Sequence, residues 1–356
     1  MMSKAVNAGV DAQIGFEQQR NTAIFLLLEN YDTLRDKEFF ISIEHHDDFL
    51  FAFTTNGDIS EVEAYQSKKK NSGIWRINNA FLEIIGKILQ TGKSLKNDSH
   101  PKTSDYNHKL YFISNQISQL KASKKYQKTD QENEIGVGVQ NQIQPFNKLP
   151  LGIQETVKEN LQKFTNNFAE LDNFIIQFID FPFQPKSQTE ILIGKIYSKF
   201  SVVCPKSALC LLNELFDEVG QTYNQAGQVS LADISKQVSS REIKKAISII
   251  TDEQKTFNLW RENAKDFSQH MNLTVHDQKN SEATIGKTFE YLKDFNNLDH
   301  QKIQLYVKEN NLQHLHYDEI HIVKDYVDQV KKQHNLNITE KDIFWTCLCS
   351  YVQYYQ

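Results

Sequence analysis

No apolar run in the 356-residue chain approaches the ~20 residues that a membrane-spanning helix requires, so an integral membrane protein is not expected. The opening MMSKAVNAGVDAQ lacks the apolar stretch of a secretory signal, which points to a cytoplasmic protein. Proline (six) and glycine (13) are scarce, which excludes collagen-like and low-complexity chains and favours helix. Four cysteines, at 204, 210, 347 and 349, form no CxxC pair. That spacing excludes a zinc ribbon and leads us to expect buried thiols in a reducing compartment. There is no basic excess either. The net charge of −5 argues against a general nucleic-acid coat, although a local basic cleft is compatible with it. GVG at 136–138 has no following Lys-Ser/Thr, so it is not a phosphate loop.

What is present is an ordered alternation of helix and strand patterns. GFEQQRNTAIFLLLENYDTL (15–34) carries the broad apolar face of a helix. EFFISIE (38–44), DDFLFAFT (47–54) and SEVEAYQSK (60–68) are aromatic and β-branched, as strands are, and TNGD (55–58) is a hairpin turn signal. A helix over 75–89 and a strand over 109–116 complete an α-β-β-β-α-β order. Residues 121–148 are polar and aperiodic and predict a mobile insertion. A strand is expected within 172–183, followed by helices at 186–200, 205–222, 231–247, 250–270, 284–296, 300–310, 317–334 and 339–355. Ser230 and Thr339 are the expected N-caps of two of these.

The first hairpin concentrates the chemistry. Residues two apart on a strand project together, so Val62, Ala64, Gln66 and Lys68 share a face that passes from apolar to polar. The turn makes the flanking strands antiparallel, which brings Asp48, at the start of one, beside Lys68, at the end of the other. Glu44 ends the preceding strand and reaches the same edge. Phosphodiester hydrolysis needs a hard divalent ion such as Mg²⁺ or Mn²⁺ with oxygen ligands, and Asp48, Gln66 and Glu44 offer them. Lys68 would orient water or offset transition-state charge. Lys69, Lys70 and Arg76 adjoin the site as candidate DNA-phosphate contacts. Acids at strand starts and lysines at strand ends also solvate sheet edges, and spacing alone leaves both readings open. His45 and His46 face opposite ways on a strand, so at most one could join Asp48.

The phrases GFEQQRNTAIFLLL, IEHHDD, YQSKKK and LYFISNQ, in this order, resemble the double-stranded DNA endonuclease domain of CD-NTase-associated (CBASS) effectors, which also occurs in the nuclease subunit of Lamassu anti-phage systems. The family's G-F-x-x-Q, E-x-x-D-D and Q-x-K motifs are matched by Gly15, Phe16 and Gln19, by Glu44, Asp47 and Asp48, and by Gln66 and Lys68. The resemblance, over roughly residues 8–225, implies an α/β restriction-endonuclease-like PD-(D/E)xK core, taken as a domain over residues 1–225; the periodicity of residues 226–356 predicts a largely helical partner-binding or oligomerisation domain. It implies catalysis by Asp48, Gln66 and Lys68, with Glu44 and Gln19 in support and Asp47 as the alternative metal ligand. The second region looks too short and too uniformly helical for the cyclic-oligonucleotide-binding domain of CBASS effectors. A Lamassu-like subunit is therefore expected, with an SMC-like ATPase and a third small subunit as partners, and a homo-oligomer that cuts duplex DNA when active. The rival reading is a catalytically degenerate assembly subunit, since Gln66 stands where many nucleases have Glu. A nucleotide-gated effector would need a basic pocket, but Lys244, Lys245, Lys302, Lys331 and Lys332 are dispersed over helical faces.

Overall fold

The computed structural model describes residues 8–43, 48–127, 133–200, 202, 204–220, 230–294 and 297–356. Two compact units divide the chain: Met1–Lys199 with Pro205–Lys244, and Phe200–Cys204 with Lys245–Gln356.

The first unit opens with α1 (Ala8–Glu29) and the single turn α2 (Tyr31–Leu34), then β1 (Phe39–Ile43), β2 (Phe49–Thr55), β3 (Asp58–Ser67), α3 (Asn79–Asn97) and β4 (Lys102–Ser114). This is the α-β-β-β-α-β order expected from the sequence. It continues through β5 (Ser118–Lys121), β6 (Glu134–Val137), β7 (Ile143–Pro145), α4 (Leu151–Leu161), β8 (Phe174–Phe178), α5 (Pro185–Phe200), α6 (Pro205–Gly220) and β9 (Gln237–Ser239) to the first turn of α7 (Ser240–Met271). Seven strands form one mixed sheet in the order β7-β8-β4-β3-β2-β1-β9. β1, β2 and β3 are antiparallel neighbours, whereas β3, β4 and β8 run parallel, as the α3 crossover between β3 and β4 demands.

Alternation along the strands builds two layers of packing. Leu50, Ala52, Val62, Ala64, Leu110 and Phe112 point to one face, against Phe81, Ile85, Ile88 and Leu89 of α3 and Ile153 and Val157 of α4. On the other face Phe51, Phe53, Tyr65 and Tyr111 meet Leu26 of α1 and Leu34 of α2 around a cavity of about 190 Å³. Tyr65 stacks on both Phe49 and Tyr111, with ring centroids 5.0 and 4.6 Å apart.

Three expectations need correction. The insertion at 121–148 is not structureless: β5 pairs with β6, and β7 joins the main sheet beside β8. Its apolar members (Ala122, Val137, Phe146) are too far apart in the chain for periodicity to show, but all three are buried. The helix predicted over 231–247 begins only at Ser240. Before it lies a 3₁₀ turn, Ile234–Lys236, and β9, which pairs with β1. Asp233 rather than Ser230 caps that turn, accepting a hydrogen bond from the Ser235 N–H. Because β9 completes the sheet, the first compact unit extends to Lys244. α4 was not anticipated, although Ile153, Val157 and Leu161 recur at helical spacing and are buried.

The second unit is helical: the remainder of α7, α8 (Val275–Lys279), α9 (Ser281–Lys293), α10 (Leu298–Glu309), α11 (Glu319–Gln333) and α12 (Glu340–Tyr355). α12 is its centre. Every residue from Ile343 to Val352 is buried, against Trp260, Phe267, Phe289, Ile303 and Tyr326. Thr339 caps it as expected, in a capping box closed by Asp342. Cys347 and Cys349 are buried and their thiols are pushed well up by burial, whereas Cys204 and Cys210 are exposed, contrary to the expectation for all four. Among the described residues no helix is long and apolar enough to cross a membrane.

Candidate active site

The site begins with a turn. Thr55 pairs with Asp58, and the two residues between them, Asn56 and Gly57, have φ of +53° and +90°. Both signs are positive, as in a type I′ turn, and Asn-Gly tolerates this better than other pairs. A register shift at Phe53/Thr54 leaves Ser60 as the extra residue of β3, and from there the ladder runs regularly to Phe49 opposite Tyr65. Asp48 and Gln66 are the next residues on the two strands. The Asp48 N–H donates to the Tyr65 carbonyl at 3.2 Å, which locks the acid to the end of β3.

Asp48 is buried, at 8% exposure. Its Oδ2 accepts from the Ser67 backbone N–H at 2.6 Å, and its Oδ1 accepts from Nε2 of Gln19 on α1 at 3.1 Å. Burial raises the Asp48 carboxyl above the ordinary carboxylate range, and the Lys68 charge, the Ser67 N–H and the amides of Gln66 and Gln19 pull it back down. Gln66 is itself buried, on the same face as Val62 and Ala64. The Lys68 N–H donates to the Ile113 carbonyl, so β3 stays anchored to β4 up to this residue. The structure thus brings Gln19, Asp48, Gln66 and Lys68 together from three elements. Glu44, His45, His46 and Asp47 lie outside the described residues.

The ammonium groups of the two lysines after Lys68 both lie against aromatic rings. Lys69 turns inward: its ammonium is buried without a hydrogen-bond partner, 4.1 Å from the ring centroid of Phe181. Desolvation lowers its pKa to about 7, against the attraction of Asp48. The Lys70 ammonium covers the Trp75 ring at 3.3 Å. Its backbone N–H and C=O are held by Asn115 Oδ1 and Nδ2, each at 3.0 Å, and Gln116 adds a second bond to the carbonyl. Arg76 is exposed. Sequence reasoning missed Phe181, because a phenylalanine after a strand carries no chemical signal.

Among the described residues no group of three His, Cys, Asp or Glu side chains is arranged to hold a metal. The oxygens that could hold one here are the Asp48 carboxylate and the amide oxygens of Gln66 and Gln19. The Gln19 Oε1 is buried and has no hydrogen-bond partner. A buried acceptor left unmet is costly, and a hydrated divalent cation would satisfy it. These hard oxygen donors suit Mg²⁺ or Mn²⁺.

Residues 7–227, more than half of the chain, match the model of a protein family described as Cap4, dsDNA endonuclease domain. The chain belongs to the Cap4 dsDNA endonuclease domain family. No curated protein and no solved structure matches it. The Cap4 match runs from α1 through α6, so Gln19, Asp48, Gln66 and Lys68 all lie inside it. Membership implies a PD-(D/E)xK-like fold for the sheet unit and nuclease activity on duplex DNA, the role of this domain in CBASS effectors.

Proposed function

We propose that the chain is a metal-dependent double-stranded DNA endonuclease, the effector of an anti-phage defence complex, with Asp48, Gln66 and Lys68 at its reacting centre. One observation carries this reading. The end of a single hairpin brings a buried carboxylate, an amide and an ammonium to one point, with a further buried amide oxygen unmet beside them. Edge solvation does not account for that arrangement, because a solvating charge faces water and Asp48 does not.

The chain's own groups divide the work. Asp48, Gln66 and Gln19 offer the oxygens that would hold Mg²⁺ or Mn²⁺. Such an ion, when bound, offsets phosphate charge and makes water more acidic. The ammonium of Lys68, beside Asp48, meets the negative charge that grows on the phosphoryl oxygens as the P–O bond breaks. Ser67 and Gln19 fix the carboxylate so that it does not have to reorganise during the reaction. Glu44 and Asp47 would extend the donor set, and Lys70 and Arg76, on the segment after β3, would meet flanking phosphates.

The helical unit, which lies almost wholly outside the family match, is on this reading the contact for an SMC-like ATPase and a third small subunit, as in Lamassu systems. Release or oligomerisation of the nuclease would then start cleavage, in the cytoplasm. Lys68→Ala is expected to abolish Mg²⁺-dependent cleavage of duplex DNA by the active complex, with unchanged circular dichroism and melting behaviour. Cleavage that persists in this variant refutes the site. If the parent binds neither Mg²⁺ nor Mn²⁺ in calorimetric titration, the degenerate assembly-subunit reading replaces it.

A further inference from the structure

Three consecutive residues of α1 are each tied by a side chain to a different neighbour. Gln19 donates to Asp48 at 3.1 Å. Arg20 Nη1 donates to both carboxylate oxygens of Asp217 on α6, at 2.6 and 2.8 Å. Asn21 Nδ2 donates to Oε1 of Gln188 on α5 at 3.0 Å. The last of these continues further. Gln188 Nε2 donates onward to the carbonyls of Pro182, at 2.8 Å, and Phe183, at 3.3 Å. That short segment carries Phe181, the ring on which the Lys69 ammonium rests. Phe181 packs in turn on Phe25 of α1, with ring centroids 4.5 Å apart.

Gln188 is fully buried, at 0% exposure. A leucine or methionine would fill the same space with no polar group to desolvate, so packing does not call for an amide here. What an amide adds is direction. One planar group accepts from α1 and donates to two backbone carbonyls, and this sets the distance and angle between α1 and the Pro182–Phe183 segment. One segment carries the amide that bonds the carboxylate, and the other carries the seat of Lys69.

We propose that Gln188 is a positioning residue for the nuclease reaction, holding Gln19 and Lys69 in place near Asp48 through Asn21 and the Pro182–Phe183 carbonyls. The proposal rests on the endonuclease reading above. Gln188 touches neither substrate nor reacting atoms, and it acts through the two groups it orients.

The test uses the full chain in its active complex, on duplex DNA with Mg²⁺. Gln188→Met keeps the side-chain volume and removes all three hydrogen bonds, and Asn21→Leu removes only the bond to α1. Each is expected to lower kcat about 10- to 100-fold with KM for DNA unchanged, the size of effect that a shift of about 1 Å in a reacting group produces. Val157→Ala, a core truncation in α4, is the control for lost stability and should leave kcat intact. A second readout needs no turnover. Lys69, followed by ¹³Cε NMR of the full chain, should titrate near 7 in the parent. In Gln188→Met it should move toward the ordinary lysine value of about 10.4 as Phe181 loosens. A folded Gln188→Met variant with parental kcat, or with an unmoved Lys69 titration, overturns the proposal. So does a loss of kcat in Val157→Ala as large as that in Gln188→Met. Lys68→Ala in the same series separates the two ideas: activity retained there refutes the nuclease site itself, whatever Gln188 does.

Discussion

Asp48 sits almost out of water with two hydrogen bonds to its carboxylate, and its pKa is nevertheless raised. Desolvation outweighs Lys68, those two donors and the Gln66 amide together. In the unfolded chain the same carboxyl ionises at the ordinary value. Between the two values the unfolded state has released its proton and the folded state has kept it. Asp48 therefore favours folding less as pH rises through that window, and above it the cost is present in full. Asp48→Asn should lose cleavage yet melt no lower than the parent at neutral pH, with the difference vanishing in acid. Melting curves at pH 4 and pH 7.5 check this. A variant that melts lower at neutral pH would show the carboxylate to be a net stabiliser and this account of it wrong. The acid limb of the activity profile should accordingly lie above the range of an ordinary aspartate.

At the level of elements, the site depends on a hairpin with exact register and on a crossover helix packed tightly against the sheet. A one-residue slip between β2 and β3 would send Gln66 to the opposite face, and the Asn56-Gly57 turn prevents it. On α3, Gly92 marks the closest approach to the sheet. A Cβ there would lie 2.7 Å from both Glu170 Oε2 and Leu110 Cδ1. Glu170 cannot move aside cheaply, because it is buried in a 2.7 Å pairing with His108 and also accepts from Asn173. Gly92→Ala should therefore destabilise the sheet unit by about 1–3 kcal/mol, despite the better helix propensity of alanine. Urea unfolding reads this directly, and a neutral or stabilising result would mean that α3 can lift from β4 at little cost.

The division of the whole molecule follows the sheet, not the composition of the chain. β9 lies far along the sequence, past the family match, yet it covers the edge of β1, and Ser240 Oγ accepts from the Phe39 N–H. A fragment ending at 244 should fold with a cooperative transition. One ending at 225 loses these partners, leaves the β1 edge open and should melt several degrees lower or aggregate. Equal melting of the two fragments would show that β9 is dispensable to the first unit.

Local pattern was sufficient for most of the helices, though not for α4 or the start of α7, for the Asn-Gly hairpin and for the alternation that sends Val62, Ala64 and Gln66 to one face. Each is decided within a few residues by steric and solvation preferences. It also placed Asp48 next to Lys68, since a tight turn turns sequence distance into spatial proximity. It did not reveal β9, whose three residues become a strand only because β1 offers unpaired backbone groups. Nor did it reveal β5 to β7, whose partners are distant in the chain. Lys69 shows the limit most plainly. A run of three lysines reads as a basic surface, but the middle one is drawn inward onto Phe181, a residue that α5 fixes in place through Gln188. Periodicity carries the direction of a side chain. Whether the space it points into is water, an aromatic ring or a carboxylate depends on segments more than a hundred residues away, and only the packed chain decides that.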